Sequence, residues 1–136
     1  MRNTLGILTW LAFVTVAVGP AQAARPIQKR SQANYVFSGT VKAVYARDTE
    51  GYHQYLVEIR VEAVHKGAGL KKGDTFRAFC YQRKRGKGGL RFDTAGHKAV
   101  PREGQRIKAF IHGARGYNEG IYPDWFDVLP GKGNRQ

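Results

Sequence analysis

The sequence predicts an all-β domain, a small closed barrel of five strands with little or no helix after an N-terminal export signal. Two observations carry this. Tyr55, Val57, Ile59, Val61 and Ala63 alternate with Glu58, Arg60 and Glu62. That is the period of two of a half-buried strand, and a helix would scatter these residues around its circumference. Short β-branched and aromatic runs then recur between glycine-rich polar turns, with no sustained helical period and no internal repeat.

Residues 1–23 read as a cleaved signal peptide. Arg2 gives a positive start, residues 5–18 are largely apolar, Gly19-Pro20 breaks the run, and Ala21-Gln22-Ala23 supplies the small-x-small cleavage pattern. Cleavage falls after Ala23 or Ala24. The run is shorter than the roughly 20 residues that span a bilayer, so no transmembrane segment is expected after cleavage. The protein is therefore expected to be secreted or periplasmic. Residues 24–33 form a flexible basic leader with little apolar content, 34–130 the barrel, and 131–136 a polar tail.

The first strand starts at Tyr35, where Tyr35, Phe37, Gly39, Val41, Ala43 and Tyr45 take one side and Val36, Ser38, Thr40, Lys42 and Val44 the other. Arg47-Asp48-Thr49-Glu50-Gly51 is a hairpin loop, and residues 55–63 the second strand. A turn at 65–74 holds three glycines, and a third strand at 75–81 sets Phe76, Ala78 and Cys80 against Arg77, Phe79 and Tyr81. The irregular stretch 82–104 is followed by a fourth strand at 105–112, with Ile107, Ala109 and Ile111 inward. A loop at 113–120 leads to a fifth strand at 121–129, interrupted at Pro123-Asp124. Trp125, the one tryptophan beyond the signal, reads as a plug for one end of the core.

Without Arg2, 22 Lys and Arg face 10 Asp and Glu, a net charge of +12. Such an excess draws a protein toward nucleic acid, acidic polysaccharide or lipid headgroups, although it also serves solubility. Cys80 is the only cysteine, so no disulfide closes within the chain and the fold rests on burial and hydrogen bonding. His53, His65, His97 and His112 are scattered and show no metal-ligand spacing. No cofactor and no metal are expected, and the protein reads as a monomer.

Phe37-Ser38-Gly39-Thr40-Val41, Tyr55-Leu56-Val57-Glu58-Ile59, Lys66-Gly67 and Leu70-Lys71-Lys72-Gly73-Asp74 give the chain a family likeness. With Pro101-Arg102-Glu103-Gly104-Gln105 and Ile121-Tyr122-Pro123, they make it resemble secreted OB-fold domains of the netrin and metalloproteinase-inhibitor type. The resemblance covers most of residues 34–129 and implies a five-stranded OB-like Greek-key barrel. The cysteines of the animal members, including the N-terminal one that chelates a protease's zinc, are absent here, so protease inhibition is not implied.

An OB-like barrel implies a ligand surface on strands two and three and the loops beside them. There this chain offers Arg60, Arg77, Phe79 and Tyr81, then Arg83, Lys84, Arg85, Lys87 and Arg91, and later Arg115 and Tyr117. Cations interleaved with rings suit a polyanion, charge following phosphate or sulfate while rings stack on bases or sugars. Two structural readings stand beside this. Phe79 and Tyr81 would serve as core beneath the loop, and Arg60 would neutralise Glu58 and Glu62. The expected function is non-enzymatic binding of an anionic polymer or surface, or else a protein-interaction or structural role in the cell envelope. A small secreted nuclease using Asp48, Glu50 and Asp93 with Arg47 or Arg91 is the enzymatic alternative, but no motif supports it. Cys80 reads as a buried thiol, so no catalytic residue is assigned.

Overall fold

The structure, a computed structural model, describes residues 25–84, 96–114 and 116–131. The signal read at 1–23, most of the polar tail, and Arg85, Lys87, Arg91, Asp93 and Arg115 lie outside the described residues.

Six strands follow in chain order: β1 (Tyr35–Thr49), β2 (Tyr52–Lys66), β3 (Thr75–Arg83), β4 (Arg106–Ala114), β5 (Tyr117–Gly120) and β6 (Phe126–Val128). The only helical piece among the described residues is a 3-10 turn at Arg30–Gln32. Pairing runs β1-β2-β3-β5-β4, and β4 returns to β1, so five strands close a barrel and β6 adds to β4 beside β5. This is the small OB-like barrel that the alternation and turns predict. Closure leaves few edges for other chains to pair with.

The core is the inward set of this alternation. Phe37, Val41, Val57, Ile59, Val61, Ala78, Cys80, Ile107, Ala109 and Ile111 are buried together, with Ile121 and Trp125. Each large aliphatic or aromatic member contributes about 1.5–3 kcal/mol relative to exposure. Gly39 lets β1 bend tightly over β2, since a Cβ there would stand 2.3 Å from the Arg60 carbonyl oxygen. Trp125 is buried as a plug, packed on Gly120 and donating from Nε1 to the Ala99 carbonyl at 3.3 Å.

Three expectations change. The hairpin loop is shorter than predicted, because β1 and β2 pair as far as Thr49 and Tyr52. The fifth barrel strand is Tyr117–Gly120 and not residues 121–129, of which only Phe126–Val128 forms a strand, the separate β6. Asn118, Glu119 and Gly120 are poor strand formers, so the sequence read this stretch as loop. The leader read as flexible is tied to the barrel over its described part. Gln28 and Tyr122 exchange bonds, Gln28 N–H to the Tyr122 carbonyl at 2.9 Å and Tyr122 N–H to Gln28 Oε1 at 3.0 Å. Arg30 grips Asp127 with two bonds of 2.9 and 3.0 Å, and Ala33 is buried in the core. These partners lie 94 and 97 residues away in sequence, beyond the reach of local patterning.

Candidate ligand-binding face

The outer face of β1–β3 is built by register. Paired residues of adjacent antiparallel strands share a side of the sheet. Tyr45 pairs with Leu56, and Leu56 with Phe79, giving an apolar row across three strands. Phe79 then meets Tyr117 edge-on, ring centroids 5.8 Å apart. The row is open to solvent: Tyr45 is 56%, Leu56 38% and Tyr117 50% exposed. Solvated apolar rows of this kind mark interaction surfaces more often than isolated exposed residues do.

Charge flanks the row. On one side Arg47, Gln54 and Tyr81 are in register, and on the other Ala43, Glu58 and Arg77. Arg60 follows opposite Thr75, and Tyr52 opposite Arg83. Arg47 donates to Gln54 Oε1 at 2.7 Å. Arg77 Nε stands 3.5 Å from Glu58 Oε2, an exposed arginine beside a half-buried acid, at a distance where the pair contributes little. Asp48 is held by His53 Nδ1 at 2.6 Å, with Lys84 Nζ at 3.8 Å. The hydrogen bond from His53 holds the Asp48 carboxyl below its ordinary range. Four arginines, Arg47, Arg60, Arg77 and Arg83, thus share this face with Glu58 and with Glu62, which accepts from the Thr40 opposite Arg60, while Asp48 falls on the other side of the hairpin with Lys84.

No family model, curated protein or solved structure matches the chain. Function therefore rests on this geometry alone.

Of the residues expected on the face, Arg60, Arg77, Phe79 and Tyr81 come together on the outer side of β2 and β3, with Arg83 and Lys84 at the end of β3 and Tyr117 against Phe79. Beside Arg60, Glu58 lies near Arg77 at 3.5 Å and Glu62 accepts from Arg106 at 3.1 Å. Tyr81 is only partly available. Its hydroxyl accepts from Arg25 at 2.9 Å, and its ring packs against His97 at 5.1 Å and Tyr122 at 6.4 Å. Burial raises the Tyr81 pKa even though the bond to Arg25 opposes the rise.

Sequence reasoning missed Tyr45, Leu56, Tyr52 and Arg47. Plain alternation places Tyr45 on the side of Phe37 and Val41. A bulge between Val41 and Ala43 reverses that assignment: Val41 pairs with inward Ile59, whereas Ala43 pairs with outward Glu58. One unpaired residue, Lys42, turns the rest of β1 over. Glu119 and His97 were also missed, both buried behind Tyr81. Among the described residues no group of three or more His, Cys, Asp and Glu is placed to hold a metal ion. Ser38 Oγ lies 3.0 Å from His65 Nε2, but among the described residues no carboxylate is hydrogen-bonded to that imidazole.

Proposed function

We propose that this protein is an exported, non-enzymatic binding module that engages an anionic polymer through the outer face of β1–β3. The observation that carries this reading is the solvated row Tyr45–Leu56–Phe79–Tyr117 set among arginines that outnumber the acids beside them. Arg60, Arg77 and Arg83 are exposed, and their guanidinium groups reach phosphate, sulfate or carboxylate without first breaking a buried pair. The rings offer stacking on bases or sugars, at about 1–3 kcal/mol per base. Both parts of such a ligand, its charge and its flat rings, find a partner within one sheet face.

The test is binding of labelled single-stranded DNA and of heparin, titrated through salt and followed by ligand anisotropy. Trp125 is buried and is a poor reporter of this surface. Affinity that falls steeply with salt, and that is lost in Arg60→Glu with Arg77→Glu, supports the reading. Absence of binding to both polymers at low salt rejects it.

A protein partner is the second reading, favoured by the exposed aliphatic Leu56 at the centre of the row. Such an interface would depend on Leu56 and Tyr45 and respond weakly to salt.

A further inference from the structure

Beside the outer face, four groups converge on one guanidinium. Arg25 pairs with the Glu119 carboxylate and donates to the Tyr81 hydroxyl at 2.9 Å. Its guanidinium carbon lies over the Tyr122 ring at 4.7 Å and over the Tyr81 ring at 5.7 Å. The two rings are nearly parallel, 12° apart. His97 stands behind them, its Nε2 3.8 Å from Glu119.

The parts of this box and its occupant differ in origin. Tyr81 belongs to β3, Glu119 to β5 and Tyr122 to the buried turn after β5. Arg25 belongs to an arm that precedes β1 and is neither helix nor strand before Arg30. The Glu119 side chain is 6% exposed, whereas that of Arg25 remains 31% exposed. A buried carboxylate and two rings that meet at one partly solvated arginine have the make-up of a receptor with its ligand in place. Rings attract the flat face of a cation, and the carboxylate and phenol take its N–H groups. An ammonium offers a point charge with no flat face, so lysine fits such a box less well.

We propose that Tyr81, Tyr122 and Glu119 form a guanidinium-binding site whose resident, exchangeable occupant is Arg25, making the arm a latch. Release of the latch opens an acidic, ring-lined site on an otherwise basic protein. Because Tyr81 also stacks on Phe79, 6.2 Å away, the latch adjoins the exposed row. The site stands independently of any ligand of that row.

Chemical rescue tests it. Arg25→Ala, Arg25→Lys and Arg25→Ala with Glu119→Gln are expressed from the full chain and melted against ethylguanidinium at sub-denaturing concentrations, with ethylammonium as control. Arg25→Ala is expected to melt below wild type and to recover saturably with ethylguanidinium. At ten times the dissociation constant its folded-to-unfolded ratio rises about tenfold. Wild type, its site filled, shows no saturable rise, the double variant is not rescued, and Arg25→Lys melts close to Arg25→Ala. Should Arg25→Ala not fold, its refolding yield against ethylguanidinium is read instead, and the yield is expected to recover. No saturable gain by either readout, or an equal gain with ethylammonium, overturns the proposal.

Discussion

His97 donates from Nε2 to the Gly120 carbonyl at 2.8 Å, and this bond ties β3 to β5 where the strands themselves barely meet. Phe79 and Glu119 are the only residues paired between those strands. The His97 amide donates to the Tyr81 carbonyl at 2.7 Å, and its Nδ1 accepts from the Tyr81 amide at 3.2 Å. Those partners assign the neutral Nε2–H tautomer. A buried imidazole thus completes the barrel between its two parallel strands.

The seam should be sensitive to acid. Burial lowers the His97 pKa, against the opposing hydrogen bond to Gly120, and a proton on Nδ1 would remove the acceptor of the Tyr81 amide. A base held below its unfolded value of 6.5 adds stability that is complete above that pH. The contribution fades as pH falls through 6.5 toward the lower folded value. Thermal melts from neutral to mildly acidic pH should show Tm falling, with a shallower slope in His97→Gln. Equal slopes in the two proteins would count against this role.

Cys80 should be inert in the native state. Burial, and secondarily the charge of Glu119, push its thiol up to about 12. Labelling by a thiol-disulfide reagent at mildly alkaline pH should therefore be slow and limited by unfolding, then immediate in denaturant. Rapid labelling of the folded protein would contradict the burial.

Gly120 should tolerate no side chain. A Cβ there would lie 2.5 Å from Trp125 Cγ and 2.6 Å from Cδ2. Gly120→Ala must displace the indole, costing about 1–3 kcal/mol. At about 4–8 °C per kcal/mol the loss is easily seen in a melt. Trp125 emission should shift to the red as the ring moves.

Within the proposed binding function, charge and rings should separate. Arg77→Ala should lower affinity for single-stranded DNA and reduce the salt slope by about one phosphate contact, roughly 0.7 in logarithmic slope. Phe79→Ala should cost about 1–3 kcal/mol of affinity with the slope unchanged. A slope that moves equally in both variants would show that the two side chains do not act separately.

What the sequence discloses follows the range of the forces involved. Period-two alternation put Ile59 in the core and Arg60 and Arg77 outside, because burial acts residue by residue along a strand. The strand Tyr117–Gly120 stayed hidden because its support is distant: Arg25 matches Glu119 from 94 residues away, and Trp125 covers Gly120. Tyr81 was half legible, since its outward direction follows from alternation whereas its enclosure by Arg25, His97 and Tyr122 comes from three separate segments.

The unpaired Lys42 has a consequence for how such a surface could arise or vanish. Composition contributes little to it, since the same side chains with Lys42 taken into the ladder in plain alternation would send Tyr45 and Arg47 toward the core and Val44 toward water. The binding character of the second half of β1 is thus a matter of pairing, set by whether Lys42 is looped out of the ladder or takes a place in it. Deleting Lys42 would leave Ala43 opposite Glu58 and Tyr45 still outward, so closing the bulge at full length, and not losing a residue, is what would erase the face.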